Sequence, residues 1–185
     1  MNGGVMIVGL NGCGKSTLCR ALADALGFFC MDVEDYYFLP GPNPYAVSRS
    51  KAEVAGLMLA DMRLHPRFVL ASVSGDWDGD ILSCVKAAVY LCAPLDVRLA
   101  RIDNRSVGRF GRRVMPGGDM YEQERRFREF AAARTEKPID DWLRSTDMPV
   151  LRMDATLPPD EILNRVIKWV GTLDITPGAP LSKQS

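Results

Sequence analysis

The chain carries 185 residues with 23 Lys plus Arg against 23 Asp plus Glu, so no global field draws it to nucleic acid or to an anionic membrane. Its 47% apolar and 25% charged residues are those of an ordinary globular protein, and a chain of this length buries about 70% of its unfolded surface without disulfide or metal. Five cysteines (Cys13, Cys19, Cys30, Cys84 and Cys92), odd in number and without a tight CxxC pair, suit a reducing cytosol. No leader pattern and no membrane-spanning apolar run is read from the sequence, so the expected location is cytoplasmic.

Val5-Met6-Ile7-Val8 predicts a buried parallel strand, and Leu18, Ala21, Leu22, Ala25 and Leu26 at i, i+3, i+4, i+7 and i+8 predict a helix that Gly27 ends. Between them lies Gly9-Leu10-Asn11-Gly12-Cys13-Gly14-Lys15-Ser16, a full match to GxxxxGK[ST]. In that pattern the glycines let backbone N–H groups converge on one anion, the lysine reaches the β- and γ-phosphates, and the hydroxyl ligates Mg²⁺. The strand-loop-helix setting places phosphate at the positive end of the helix. A dinucleotide-binding turn is the rival, because Asp32 stands about twenty residues on, where an acidic ribose ligand belongs. Gly9, Gly12 and Gly14 do not read GxGxxG, and that fingerprint has no use for Lys15-Ser16. Cys13 reads as a small filler of a variable loop position rather than as a reactive thiol.

Residues 28–31 predict a second strand that ends at Asp32-Val33-Glu34-Asp35. Ligands of open α/β sheets bind at the carboxyl ends of strands, so chemistry is expected there, although three acids in four residues also suit a helix cap facing solvent. Tyr36-Tyr37-Phe38 and a Pro40-Gly41-Pro42-Asn43-Pro44 turn lead to a helix over about 46–64, with Val54, Leu57, Met58 and Met62 on one face and His65-Pro66 at its end. The single histidine reads as a helix-end residue facing water rather than a proton shuttle. Strands follow at 68–71, running into Ser72-Val73-Ser74-Gly75-Asp76-Trp77, and at 87–91 and 149–153. A last helix begins near Pro159, with Ile162, Leu163, Val166, Ile167 and Val170 on its apolar side.

This alternation predicts a five-stranded parallel sheet covered on both faces, within one domain over 1–171. The tail 172–185, with Pro177, Gly178 and Pro180, lacks apolar periodicity. Between the fourth and fifth strands runs an excursion too long for a simple crossover, from Arg98 through Arg101, Arg105, Arg109, Arg112 and Arg113 to Met115-Pro116-Gly117-Gly118-Asp119. Its arginines and Gly108, Gly111, Gly117 and Gly118 suggest a hinged, phosphate-seeking flap, with a solvated basic face or a nucleic-acid patch as rivals. Helix follows, with Phe127, Phe130 and Trp142 as expected packing residues.

With these residues in place, the chain resembles the P-loop small-molecule and nucleoside monophosphate kinases, such as shikimate, gluconate and adenylate kinases, over most of 4–171 in order. The resemblance implies a three-layer α/β P-loop NTPase fold with an acceptor-side helical region at about 36–65 and an arginine lid at about 105–120. It implies ATP and Mg²⁺ as cofactors and transfer of the γ-phosphate to a hydroxyl or phosphate of a small metabolite. On that pattern Gly9, Asn11, Gly12, Cys13, Gly14, Lys15, Ser16 and Thr17 cradle the phosphates, and Ser16 and Asp32 hold Mg²⁺. Glu34 orients the acceptor hydroxyl and takes its proton, with Asp35 as reserve base. Arg101 and Arg105 match the R-x-x-x-R of a lid entry, one of Arg109, Arg112 or Arg113 closes over the γ-phosphate, and Asp154-Ala155-Thr156 lie where these kinases wrap backbone around adenine.

The chain also departs from the family. It lacks the Asp-Gly-x-Pro-Arg step of adenylate kinases, which lowers the weight of a nucleoside monophosphate as acceptor. Ser74-Gly75-Asp76 stands where shikimate-type enzymes have a glycine run; Arg49 either reads an anionic group or lies on the surface, and Trp77 either stacks on the acceptor or packs. The expected partner is a small-molecule phosphate acceptor, with no membrane and no nucleic acid, for a monomer or homodimer. The alternative is a nucleotide-binding regulatory switch or slow ATPase without an acceptor. An RNA-binding kinase would rest on the arginine stretch alone.

Overall fold

Five strands, β1 (Gly4–Val8), β2 (Phe29–Asp32), β3 (Phe68–Ser72), β4 (Val85–Cys92) and β5 (Val150–Asp154), pair in parallel in the order β2-β3-β1-β4-β5. The computed structural model describes residues 3–39, 47–173 and 175. Consecutive residues of β1 and β3 are all buried, so both faces of the sheet are covered and the strands read as unbroken apolar runs. Ile7 lies opposite Ala71 on one side and Val89 on the other. Fully burying a side chain such as Ile7 or Leu70 stabilises the fold by about 1.5–3 kcal/mol. Because β1 sits between β3 and β4, the chain runs from it toward both edges, and the loop after β1 opens into the crevice where the strand order reverses.

The covering helices are α1 (Lys15–Leu26), α2 (Val33–Tyr37), α3 (Lys51–Leu64), α4 (Gly79–Cys84), α5 (Leu95–Phe110), α6 (Tyr121–Ala133), α7 (Lys137–Ser145) and α8 (Pro159–Val170). α1 packs on β2 and β3 and beside α8, and ends at Gly27 in the left-handed region, φ 64°. Its buried side is Leu18, Cys19, Leu22 and Ala23, whereas Ala25 is exposed, so the apolar stripe is rotated from the expected one. Cys19 lies on the rotated side. Its thiol contacts Cys30 Sγ at 2.7 Å and donates to Val69 O at 3.2 Å, where that side of α1 meets β2 and β3.

α3 begins later than the sequence pattern suggests. Ser48 forms an isolated antiparallel bridge with Phe38, and Ser50 and Glu53 then close a capping box, which fixes the first turn at Lys51. Leu57 is 42% exposed and Ala55 takes its place in the core. His65 does cap the helix, but its ring stacks on Phe29 at 3.8 Å instead of facing water. The predicted turn over 40–44, and 46 at the start of the predicted helix, lie outside the described residues. So do 174 and 176–185 of the tail. Ile175 is described and buried, close enough to Gly3 that a Cβ there would meet it at 2.8 Å.

The arginine stretch is not a loop between hinges. α5 runs unbroken through Gly108 to Phe110, a 3-10 turn follows at Gly111–Val114, and a tight turn leads into α6. Gly111 and Gly117 take positive φ (57° and 87°), but Gly118 is needed for closeness, since a Cβ would stand 2.2 Å from Arg113 O. Phe127 is half-buried, Trp142 packs against the core, and Phe130 is 55% exposed, contrary to the packing role expected of it. Among the described residues, no helix is long and apolar enough to cross a membrane.

Candidate active site

The loop after β1 is shaped by its glycines. Gly12 and Gly14 hold φ at 86° and 94°, which side chains resist, and Gly14 caps α1 with no side-chain hydrogen bond and with no acid in the first turn. The first N–H groups of α1 are thereby left for an anion. Lys15 is buried and its Nζ donates to Leu10 O at 3.1 Å, folding back over the loop it belongs to. Burial pushes the ammonium below its ordinary value, against the pull of Cys13, Glu34 and Asp32. Cys13 is 3% exposed, and burial pushes its thiol up, which matches the filler reading.

These loop residues form the floor of a cavity of about 960 Å³. Asp32, Glu34 and Asp35 stand on one wall, Arg101, Arg105 and Arg109 on another, and Ala155, Leu157, Pro159 and Ile162 line a third, more apolar side. Asp32 ends β2 and caps α2, its Oδ1 accepting from Glu34 N at 3.1 Å. Thus the capping reading and the chemical reading of this acidic step are both true of the same side chain. Burial raises Glu34 above the usual carboxylate range, and the neighbouring Asp32 charge adds to it while Arg105 and Lys15 oppose. Asp35 is raised in the same sense, by desolvation and then by Asp32.

α5 places Arg101, Arg105 and Arg109 one turn apart on one face. Arg101 Nη2 donates to Ala155 O at 2.7 Å, tying the helix to the turn after β5, and Arg105 lies over the Phe127 ring at 5.7 Å. Among the described lining residues, Arg109 is present and Arg112 and Arg113 are not. Arg113 instead makes a two-pronged contact with Asp119, the closest at 2.7 Å. Asp154 and Thr156 also stand apart: Asp154 accepts from Thr156 N and Oγ1, and both border a separate cavity of about 510 Å³.

The end of β3 is closed. Trp77 is 8% exposed, donates from Nε1 to Ser72 Oγ at 3.0 Å, and lies 6.4 Å from the Tyr37 ring, so it packs. Gly75 has Trp142 against it, where a Cβ would stand 2.1 Å from the ring, and Asp76 pairs loosely with Lys51 at 3.8 Å. Arg49 precedes α3 and donates to Tyr36 O at 2.8 Å. Arg20, Phe38 and Leu39, which the sequence pattern assigns no role in the site, do line the main cavity. For Arg20 a signal existed, four residues after Ser16 on the same helix face.

The donor types suit a hard cation beside a phosphate, a hydroxyl on Ser16 and a carboxylate on Asp32 lining one cavity; among the described residues no group of three or more His, Cys, Asp or Glu is arranged to hold a metal ion by itself. No family model matches the chain. It is 27% identical over 180 residues to the uncharacterized protein YqaC of Bacillus subtilis (strain 168), covering 93% of this chain and 99% of that one. Among solved structures it is similar to deoxyadenosine kinase from M. mycoides with bound dATP, with TM-score 0.56 at 15% identity over 90% of this chain and 98% of that one. A gluconokinase from Sinorhizobium meliloti gives 0.55 at 14% identity over 92% and 93%. Shikimate kinase from Acinetobacter baumannii, in complex with shikimate, gives 0.53 at 15% over 91% and 93%. At these identities the likeness establishes a shared fold, that of the P-loop kinases.

Proposed function

We propose, from a chain with the fold of the P-loop kinases, a phosphotransferase that uses ATP and Mg²⁺ to phosphorylate a hydroxyl or phosphate of a small metabolite. One observation carries this reading: the phosphate loop and the carboxylates of Asp32, Glu34 and Asp35 face a single cavity. A switch or slow ATPase needs the loop but no acceptor space, whereas this cavity continues past the loop to Phe38 and Leu39. The bound nucleotide supplies the phosphoryl group and the metal neutralises charge on it.

The roles of the chain's own groups follow from their chemistry. The N–H groups at the start of α1 and Lys15 hold the polyphosphate; Ser16 and Asp32 hold the ion. Glu34, raised by burial, accepts the acceptor's proton, because a carboxylate with a raised value is a stronger base once ionised. Arg101, Arg105 and Arg109 supply positive charge opposite, and Arg109 is the arginine of the expected lid trio that the cavity favours. Ala155 and Leu157 fit the adenine side. With Trp77 and Trp142 filling the end of β3, the acceptor is confined to the α2 wall, between Arg20, Asp35, Phe38 and Leu39.

The test is coupled ADP release from Mg²⁺-ATP against nucleotides, sugars, sugar acids and other small hydroxylated metabolites, with Lys15→Ala as control. Stimulation by one compound, lost in the control, establishes the kinase and names its acceptor class. Slow release indifferent to the whole panel transfers the reading to the switch.

A further inference from the structure

Arg98 stands in the first turn of α5 and is 4% exposed, yet no carboxylate lies within ion-pairing distance of it among the described residues. Its hydrogen bonds are few and long: Nη1 donates to Asn11 O at 3.3 Å and to Ala131 O at 3.5 Å, and Nε has no partner. Asn11 Oδ1, in the phosphate loop, is likewise buried without a partner. The two segments also meet backbone to backbone, since a Cβ on Gly12 would stand 2.4 Å from Arg98 O. Arg98 does not line the cavity; it lies behind the loop. The contrast with Arg113, Arg125, Arg128 and Arg165, each paired with a carboxylate at the surface, is complete.

A buried guanidinium without a counter-charge costs free energy that a neutral group of similar shape would not. The two carbonyls offset part of that cost, and negative charge arriving nearby offsets more. The charge of Arg98 reaches the loop: burial raises the Cys13 thiol, and Lys15 and then Arg98 oppose that rise without cancelling it. We propose that Arg98 is a positioning residue and rear cation of the phosphate site: it holds the Asn11 carbonyl toward the back of the loop, and its uncompensated charge is neutralised across the loop by the nucleotide's polyphosphate. This rests on the nucleotide-binding part of the function proposed above. It also ties α6, through Ala131 O, to the same guanidinium that braces the loop.

The experiment is calorimetric titration of the wild type, Arg98→Gln and Arg98→Lys with tripolyphosphate, ATP and adenosine. Gln keeps hydrogen-bond donors and removes the charge; Lys keeps the charge and removes the fork. Arg98→Gln is expected to weaken tripolyphosphate and ATP about tenfold and to leave adenosine unchanged, with Arg98→Lys within about threefold of wild type. Wild-type affinity for tripolyphosphate in Arg98→Gln, or an equal loss for adenosine, overturns the proposal. If Arg98→Gln does not fold, Arg98→Lys decides: retained tripolyphosphate affinity supports a charge role, and a tenfold loss overturns it. Failure of the wild type to bind tripolyphosphate or ATP removes the phosphotransferase reading itself.

Discussion

The phosphate-loop wall of the cavity and the segment that follows the arginine wall are held by different forces. β1 and the inner side of α1 are buried against β3, β4 and α8, and the loop between them keeps its shape through glycines at positive φ and backbone contact with Arg98. The segment from the end of α5 to α6 is largely exposed and is laced by pairs such as Arg113–Asp119 at 2.7 Å and Arg128–Asp103 at 2.9 Å. Exposed ion pairs of this kind contribute little to stability, whereas buried backbone geometry tolerates almost no change. The loop side is therefore fixed by buried backbone, whereas the segment beyond Arg109 is held at its surface by exposed pairs.

The largest effect that this contrast predicts is at Lys15. Lys15→Ala should abolish tight ATP binding and lower turnover by about 10³-fold, read by titration and by coupled ADP release. Glu34→Gln comes next: nucleotide binding stays and turnover falls by about 10²–10⁴-fold. Equal turnover in Glu34→Gln and wild type would remove Glu34 from the chemistry. The same variant has a stability signature. A carboxyl whose folded pKa is raised above its ordinary 4.5 binds its proton more tightly when folded, so its stabilising contribution is present below that value and is lost as pH rises through the folded pKa. Glu34→Gln should accordingly melt higher than wild type at pH 7, and the gain should vanish below about pH 4. Thermal melts at the two pH values check it.

Gly12→Ala probes the cradle itself. With φ at 86° and Arg98 O only 2.4 Å from the added carbon, it should cost about 1–3 kcal/mol in denaturant unfolding and weaken ATP binding. The smallest effect belongs to the segment outside the cavity. Arg113→Ala breaks an exposed pair with Asp119 and should leave turnover within roughly twofold, while Arg109→Ala, in the cavity, should lower it clearly more. Equal losses at the two arginines would mean that the whole segment closes as one body.

The legibility of the chain follows the same division. The loop and its flanking strand and helix were read at the right residues because each signal is carried by contiguous side chains: an apolar run, three glycines, Lys15 and Ser16. The central strands β1 and β3 were legible for a related reason, since strands buried on both faces need unbroken apolar runs. Boundaries moved where a local cap outweighed periodicity. Ser50 with Glu53 is such a case, and S-x-x-E was present to be seen.

By itself the sequence determined the order of the parallel elements along the chain, the phosphate loop, and the acidic step at the end of β2, because these depend on neighbours within a few residues. Only the tertiary structure decided which arginines enter the cavity, that Trp77 and Trp142 fill the end of β3, and that Arg98 is buried beneath Asn11. Gly75 and Trp142, or Asn11 and Arg98 at a separation of 87 positions, meet through sheet order and helix packing. No local pattern encodes such a meeting, since an arginine with a long apolar stem reads alike in sequence whether its head group reaches water or the back of a loop.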